Sequence, residues 1–463
     1  MSSFARRALL AVLITYLALG GYILGRFAND AMPTYYLYRP LLVVLPLAIV
    51  IGMLAAWRFR DHAPLAASVA VAAVTFWATW MRHRTEIALA GVGLLILLGL
   101  AWWRWRRIPA LPRAVSTATT VFVLIFFVSG VVRAALTLEG PIPPVAATRT
   151  ATGPNIYLVL LDAYPRRDTL LNDMGIDNGP FEEALAARGF DLYDDAQTDR
   201  RYTDFTLMGL LYGTADVAPP DSDLNFSGQW KLRKDLSLAP LPIEAREAGY
   251  EYVVIDSPVG HVTFEAGTHI QHGGFNTLED FMLAESVFGP MVKAWLPYLP
   301  TDSLRDHFEA GVESLEDLVD PSAHRLVLAH LFQPHLPFLW DADGNPLPAP
   351  FFWPQHKLLT GQIEVMGIGV DDYAASMRAE LATLNGKLLA LVDEIVERDP
   401  GAVVVLFGDH GSRYSLELQE TEWYRNFVAA RTPGHPGLFG DAPTPTDFLR
   451  TLLPVYVTGS SAP

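Results

Sequence analysis

Five long apolar runs fill the first 137 residues of this 463-residue chain, at positions 8–24, 41–57, 65–81, 87–103 and 117–132. Each run approaches the ~17–25 residues that an apolar helix needs to cross a bilayer. Arg and Trp flank several of the ends, as residues at a membrane interface do. A cleaved signal peptide is the alternative for the first run, but no small-residue cleavage site follows it and more apolar runs do. We therefore expect about five transmembrane helices over residues 1–137.

The arginines give this bundle an orientation. If the N-terminus lies in the cytoplasm, eight arginines fall on the cytoplasmic side and four or five on the other side. An excess of positive charge on the cytoplasmic side favours this arrangement. Five spans then place the rest of the chain outside the cytoplasm. We expect a multi-pass protein of the inner or plasma membrane whose soluble part is extracytoplasmic, in the periplasm where the cell has one.

The net charge changes sign where the apolar runs end. Residues 1–137 carry +10, residues 138–463 carry −26, and the whole chain carries −16. Because an acidic soluble part repels a phosphate backbone, we expect no nucleic-acid partner. The chain has no cysteine. Disulfides, thiolate metal sites and cysteine nucleophiles are therefore excluded.

Strands and helices alternate in the soluble part. Residues 138–154 are rich in Pro, Ala and Thr, which is typical of a linker. Apolar runs then predict strands, in chain order, at 156–161, 252–255, 325–331, 402–407 and 427–430. Helical patterns separate them at 180–188, 241–248 and, most clearly, from Met377 to Ile395. This alternation predicts an α/β sandwich with a mostly parallel central sheet over residues 155–463.

Polar residues accompany three of these strands at the point where each ends. Asp162 follows the first strand, Asp409 and His410 follow the fourth, and His330 and His335 accompany the third. In such sheets, ligands bind beyond the carboxyl ends of the strands. Acidic and imidazole side chains that converge there suit a divalent metal ion. Each residue alone could instead be a helix N-cap or a polar turn residue, so the hypothesis depends on their joint occurrence.

The stretches PNIYLVLLDAYPRRDTL and VVVLFGDHGSR resemble the alkaline-phosphatase superfamily. Within it, the resemblance is to the sulfatase-like branch that includes lipoteichoic acid synthases and phosphoethanolamine transferases. Those proteins also place five membrane helices before an extracytoplasmic catalytic domain, so the resemblance covers essentially the whole chain. It implies one divalent metal ion bound by Asp162, Asp409 and His410. The imidazole ligand favours Mn or Zn, with Mg or Ca as alternatives.

The resemblance also implies a nucleophile within YTDFTLMGLLYG, which runs from Tyr202 to Gly213. Sulfatases place the nucleophile ten positions before a glycine that follows paired leucines, and Thr203 occupies that position. Thr206 stands where the motif has a serine and is the alternative nucleophile. Thr203 as a simple helix N-cap is the other alternative. Free N–H groups at the start of a helix suit a phosphoryl oxygen, and coordination of the Thr203 hydroxyl to the metal would activate it.

Three further residues are candidates for contacting the substrate. His335, in PHLPF, resembles the histidine that contacts the transferred group in this branch. His330 and Arg413 are additional candidates, the arginine because its guanidinium suits phosphate. The other acids and histidines considered precede a strand, lie in loops or follow a strand at a distance, and they are not expected at the site: Asp320, His324, His269, His272 and His435.

The chain departs from the pattern of this branch in several places. Without cysteine, it cannot form the formylglycine of ordinary sulfatases from that residue, and Ala163 stands where sulfatases often have a second acid. The nucleophile motifs of phosphoethanolamine transferases and of the synthases are absent. A threonine nucleophile fits phosphoryl transfer better than sulfate-ester hydrolysis.

The sequence therefore predicts a membrane-anchored, metal-dependent phosphotransferase or phosphodiesterase. Its donor would be a membrane lipid or a lipid- or glycan-linked phosphoryl group, and its acceptor a glycan or polymer hydroxyl or water. Two alternatives are a catalytically degenerate domain that scaffolds an envelope-assembly complex and a sulfuric ester hydrolase.

Overall fold

The computed structural model describes residues 3–27, 34–60, 145–217, 238–258, 267–270, 299–347, 368–414 and 420–459, with isolated positions between them. The chain divides into two compact units. One comprises Met1–Gly140 with Met282–Ala294, and the other comprises Pro141–Phe281 with Trp295–Pro463. The first unit contains the five apolar runs, and the second contains the predicted sheet.

Two long helices account for most of the described part of the first unit. Helix α1 spans Ser3–Phe27 and helix α2 spans Thr34–Phe59, and they contain the first two apolar runs. Gly52 of α2 lies directly against Val12 of α1, where a Cβ would collide with the neighbouring backbone. Small residues that allow helices to approach this closely are typical of helix pairs in membranes.

The described residues include one window, Ser3–Gly20, that is long and apolar enough to cross a membrane, and a shorter apolar helix at Val44–Phe59. The predicted spans at 65–81, 87–103 and 117–132 lie outside the described residues apart from isolated positions. The five-helix bundle therefore stays a prediction.

A sheet of seven strands forms the centre of the described part of the second unit. In chain order the strands are β1 (Ile156–Leu161), β2 (Asp191–Leu192), β3 (Glu251–Ile255), β4 (Thr268–Ile270), β5 (Arg325–Leu331), β6 (Val403–Gly408) and β7 (Val428–Arg431). Their spatial order is β2-β7-β6-β1-β5-β3-β4. Neighbouring strands are parallel except at β7, which runs antiparallel to both β6 and β2. The prediction of a mostly parallel sheet is confirmed, with β7 as the exception.

Helices flank this sheet. They are α3 (Arg167–Met174), α4 (Gly179–Ala186), α5 (Thr203–Tyr212), α6 (Pro240–Glu247), α7 (Leu299–Asp317), α8 (Val370–Arg398) and α9 (Pro445–Leu452). Short 3-10 turns at Ala215–Val217 and Glu420–Tyr424 and a π-helical turn at Leu453–Thr458 complete the described helical structure.

Helix α8 follows the predicted amphipathic pattern. Its buried residues include Met377, Leu381, Leu384, Leu388 and Ile395, all at helical spacing. The helix ends at Arg398, just before Asp399-Pro400, because a proline disfavours helical geometry at the preceding residue. The apolar stripe therefore faces the sheet over the full length of the helix.

Strand β1 separates two cores. Tyr157, Val159 and Leu161 pack in one core with α7 and α8, whereas the intervening residues Ile156, Leu158 and Leu160 pack in the other with α5 and α9. Alternate side chains of a strand point to opposite faces. Because both faces are covered, the strand is apolar throughout, as the sequence predicts.

The strand register aligns the ends of the three central strands. Leu161 of β1 is paired with Leu331 of β5 and with Gly408 of β6. The residues that follow, Asp162 and Asp409, therefore leave the sheet at the same level and at the same edge.

Candidate active site

Three acidic and imidazole side chains converge at this edge. Asp162 is 2% exposed, and Asp409 and His410 are fully buried. Each offers one ligand atom, and these atoms lie within 4.8 Å of one another. His410 Nε2 is 3.6 Å from Asp162 Oδ1 and 3.5 Å from Asp409 Oδ2. The register of β1 and β6 thus brings together residues that are far apart in the sequence.

The environment of His410 fixes its tautomer. Its Nδ1 lies 2.7 Å from the backbone oxygen of Gly411, and its Nε2 lies 2.9 Å from Arg413 Nη2. Nδ1 therefore carries the proton and donates to Gly411, and the Nε2 lone pair accepts from Arg413, a hydrogen bond that a metal ion at Nε2 would replace. Burial, followed by the charge of Arg413, lowers the pKa of His410 to about 3. The imidazole is neutral, which is the form that binds a metal ion.

Asp409 is held in its ionised form. Burial raises the pKa of its carboxyl group, but His410, the Thr203 hydroxyl and the Ala163 N–H lower it, and the balance lies below the usual value. The Ala163 N–H donates to Asp409 Oδ1 at 2.9 Å. Ala163 adopts a φ of 60°, a left-handed conformation that is costly for a residue with a Cβ. This strained turn directs the N–H group of Ala163 towards Asp409.

The donor set fits a divalent cation. The buried carboxylates of Asp162 and Asp409 repel each other, and removing each from water costs on the order of several kcal/mol. A cation or hydrogen bonds must compensate this cost. Two carboxylate oxygens and a neutral imidazole nitrogen suit Mn or Zn, and the carboxylates also suit Mg or Ca. The residues therefore support the metal site that the sequence predicts.

Two threonines of α5 contact Asp409 in different ways. Thr203, the first residue of the helix, is buried, and its hydroxyl lowers the pKa of the Asp409 carboxyl group. The Thr206 hydroxyl donates instead to the Asp409 backbone oxygen at 2.8 Å and lies 3.1 Å from the hydroxyl of Thr198. Thr203 thus lies beside the cluster of metal-ligand candidates, whereas Thr206 takes part in the internal packing of the loop.

His330 and His335 lie at the end of β5 but have different surroundings. His330 Nε2 is 3.1 Å from Asp162 Oδ2, and the histidine is 6% exposed. This contact makes His330 a partner of a metal-ligand candidate and orients the carboxylate. His335 is half-buried and close enough to His410 to contribute to the lowered pKa of that imidazole, so it also lies near the cluster.

Arg413 lies on the other side of His410. Its side chain is 4% exposed, and its guanidinium is stacked on the ring of Tyr202 at 5.3 Å. Within the described residues, its Nε and Nη1 atoms have no hydrogen-bond partner. Because these N–H groups are available on a buried, positively charged side chain near the start of α5, Arg413 suits an anionic ligand.

The residues that were not expected at the site lie elsewhere. His324 precedes β5, at the opposite edge of the sheet, where its Nδ1 is 2.6 Å from the backbone oxygen of Gly153. His435 follows β7, which is antiparallel, so it too lies away from the carboxyl end of β6. Asp320, His269 and His272 contact Ser322, Asp256 and Ser314 respectively and are outside the group of converging ligand atoms.

The sequence reading missed one acid at the carboxyl edge. Asp256 directly follows β3, is 4% exposed and lies 3.3 Å from His269 Nε2. The signal was present, because EYVVID repeats the pattern of an apolar strand followed by an aspartate. Within the described residues, Asp256 is outside the group whose ligand atoms converge.

Comparisons with known protein families and with curated protein sequences find no match. Solved structures do match. They include the phosphonate monoester hydrolase of Agrobacterium radiobacter, at 16% identity over 65% of this chain and 73% of that chain, with a TM-score of 0.41. The periplasmic domain of the phosphoethanolamine transferase EptC from Campylobacter jejuni matches at 11% identity over 67% and 90%, with a TM-score of 0.39.

The lipoteichoic acid synthase LtaP from Listeria monocytogenes matches at 13% identity over 67% of this chain and 73% of that chain, with a TM-score of 0.39. The transferase and the synthase are of the kinds that the sequence resembles.

Proposed function

We propose that this protein is a membrane-anchored, metal-dependent phosphotransferase or phosphodiesterase with Thr203 as its nucleophile. The observation that carries the proposal is the position of Thr203, which is buried at the start of α5 and whose hydroxyl lowers the pKa of the Asp409 carboxyl group. It places a hydroxyl at the start of a helix and beside three converging ligand groups.

Asp162, Asp409, His410 and the Thr203 hydroxyl would hold one divalent ion. Such an ion would lower the pKa of the hydroxyl and offset the charge of the phosphoryl oxygens. His330 holds Asp162 in place, and the Gly411 carbonyl holds the His410 tautomer. These outer contacts are typical of ligands that serve a metal.

Side chains of this protein would orient the Thr203 hydroxyl for attack on the phosphoryl group. A Thr203 hydroxyl hydrogen directed towards the nearby Asp409 carboxylate would leave an oxygen lone pair for phosphorus. The Thr203 oxygen would form the new P–O bond while the bond to the donor's leaving oxygen breaks, giving a phosphothreonine. A glycan or polymer hydroxyl, or water, would then take the phosphoryl group and restore Thr203.

Three positive or polar features surround the phosphoryl position. The N-terminus of α5 presents backbone N–H groups, Arg413 offers a guanidinium, and His335 lies on the β5 side. Each would stabilise charge on the non-bridging oxygens. The arrangement suits a phosphorus centre, and the acidic soluble part argues for a lipid- or glycan-linked donor rather than a nucleic acid.

Mass spectrometry tests the proposal directly. The full-length protein in detergent is incubated with total membrane lipid and Mn or Zn, digested and analysed. We expect a phosphate-containing adduct on the peptide that includes Thr203, and none in Thr203→Ala. If the wild-type protein binds no stoichiometric divalent ion and forms no adduct, the scaffold alternative replaces the enzyme.

A further inference from the structure

One buried acid lies outside the cluster described so far. Glu380 is fully buried on α8, on the same helix face as the core residues Met377, Leu381 and Leu384. An apolar side chain at position 380 would pack in the core without the free-energy cost of removing a carboxyl group from water. Burying a carboxyl group costs free energy unless it is well hydrogen-bonded. The Glu380 carboxyl group, however, makes hydrogen bonds that an apolar side chain could not make.

The partners of Glu380 all belong to the loop that follows β5. Its Oε2 accepts hydrogen bonds from the backbone N–H groups of Leu339 at 2.7 Å and Trp340 at 3.1 Å. Its Oε1 accepts from the side-chain amide of Gln333 at 2.6 Å, in the amide orientation that satisfies both ends of the glutamine. A single side chain of a rigid helix thus fixes both ends of a loop.

His335 lies between these two ends. The same Gln333 amide nitrogen that donates to Glu380 is 3.2 Å from the backbone oxygen of His335. The His335 ring is 4.8 Å from the ring of Phe332, and its backbone N–H donates to the Phe332 oxygen at 3.1 Å. The position of the imidazole therefore depends on the loop that Glu380 holds.

We infer that Glu380 is a positioning residue, which holds His335 at the active site through Gln333 and through the N–H groups of Leu339 and Trp340. The inference rests on the proposed function for the role of His335. Its structural content is independent of that role, because the hydrogen bonds exist whatever the site binds. Burial raises the pKa of Glu380, and the N–H groups of Leu339 and Trp340 oppose that rise. The network of three donors to the two oxygens is that of the ionised carboxylate.

Two substitutions separate positioning from simple packing. In Glu380→Gln, the amide oxygen can still accept from Leu339 and Trp340. Its NH2 group, however, faces Gln333, which must turn its carbonyl oxygen towards it and lose the bond to His335. Gln333→Ala breaks the same link and leaves Glu380 with its two backbone donors. Glu397→Gln, at an exposed position of the same helix, is the matched control.

The first measurement does not need activity. The full-length proteins are treated with diethyl pyrocarbonate, and the modification rate of each histidine is followed by peptide mass spectrometry. We expect the rate at His335 to change by about threefold or more in Glu380→Gln and Gln333→Ala, the lower range of couplings within one hydrogen-bond network. The exposed His435 serves as the internal reference and should be unchanged, as should every histidine in Glu397→Gln.

The second measurement is kinetic, with bis(4-nitrophenyl) phosphate as the probe. We expect kcat/KM to fall about tenfold in Glu380→Gln. In a protein that already carries His335→Ala, Glu380→Gln should cause no further fall, because the effects on kcat/KM of residues that act through one another are not additive. Additive losses, or an unchanged His335 modification rate in both variants, would overturn the inference. If the wild-type protein shows no turnover, the proposed function is in doubt, and the modification rates alone decide the role of Glu380.

Discussion

The hydroxyl of Thr206 donates to the backbone carbonyl oxygen of Asp409 across 2.8 Å. Three residues earlier, the hydroxyl of Thr203 acts on the carboxyl group of the same aspartate and lowers its pKa. Helix α5 is therefore joined to the end of β6 by two threonines, one through the backbone and one through the carboxylate. Because only the second contact involves a potential metal ligand, the two threonines have separable roles.

Thr203→Ala should abolish turnover with little loss of stability. The substitution removes the proposed nucleophile, while the Asp409 carboxylate keeps the Ala163 N–H as a hydrogen-bond donor. Thr203→Ser keeps a hydroxyl and should retain part of the rate. Hydrolysis of a nitrophenyl phosphodiester and the melting temperature of each variant are measured together. Full activity in Thr203→Ala would rule out Thr203 as the nucleophile.

Thr206→Ala should show the reverse pattern. It leaves the buried backbone oxygen of Asp409 without its Thr206 donor, which costs about 1–3 kcal/mol of stability, as expected for an unsatisfied buried group. Turnover at a temperature well below melting should remain measurable. Thermal unfolding of both threonine variants in the same buffer provides the comparison. An adduct found on Thr206 instead of Thr203 would reverse the assignment.

Loss of one ligand should release the metal. Asp409→Asn keeps the size of the side chain but removes its charge, and His410→Ala removes the imidazole, so each should bind far less Mn or Zn than the wild-type protein. Metal content after gel filtration, measured by elemental mass spectrometry, provides the test. His435→Ala, at the opposite edge of the sheet, should keep the full content. Equal metal in all four proteins would contradict the site.

His330→Ala should weaken metal binding without abolishing it. His330 contacts Asp162 and orients its carboxylate, and loss of such an outer contact typically weakens affinity by about 10–100-fold. Titration with Zn against a competing chelator gives the affinity. The effect should be smaller in His330→Gln, whose amide can still donate to Asp162. An affinity equal to that of wild type would show that the contact is incidental.

The pKa of Glu380 predicts a specific pH dependence of stability. Since the folded-state pKa is raised from 4.5 to about 8, the folded protein retains a proton that the unfolded chain has lost between these values. The resulting stability is present below about pH 4.5 and is lost as the pH rises through about 8. The melting temperature of Glu380→Gln relative to wild type should rise across this range, whereas that of Glu397→Gln should not. A constant difference would contradict the raised pKa.

The predicted five spans would place the candidate site residues outside the cytoplasm. A reporter enzyme that matures only outside the cytoplasm should be active when fused after residue 140 and inactive when fused after residue 60, which follows two spans. Activity at residue 60 alone would contradict the orientation. Inactivity at both positions would contradict the number of spans and, with it, the lipid- or glycan-linked substrate class.

Local patterns in the sequence account for much of the fold and for the aspartates of the candidate site. The apolar run Ile156–Leu161 predicts a strand covered on both faces, and Met377 to Ile395 predicts one face of a long helix, because strand and helix periods act over a few residues. Asp162 and Asp409 could be proposed because an acid that directly follows a buried strand must lie at the edge of the sheet. The same pattern at Asp256 was overlooked.

Contacts between distant residues were decided by the tertiary structure. Strands β2 and β4 are too short to show a period, and the pairing of Leu161 with both Leu331 and Gly408 depends on how whole strands align. That alignment makes His330 and His410 neighbours of Asp162. The packing of α5 against the end of β6 separates the roles of Thr203 and Thr206. The link from Glu380 through Gln333 to His335 has no sequence signature, because it depends on the packing of α8 against a loop about 45 residues away, as long-range hydrogen bonds do.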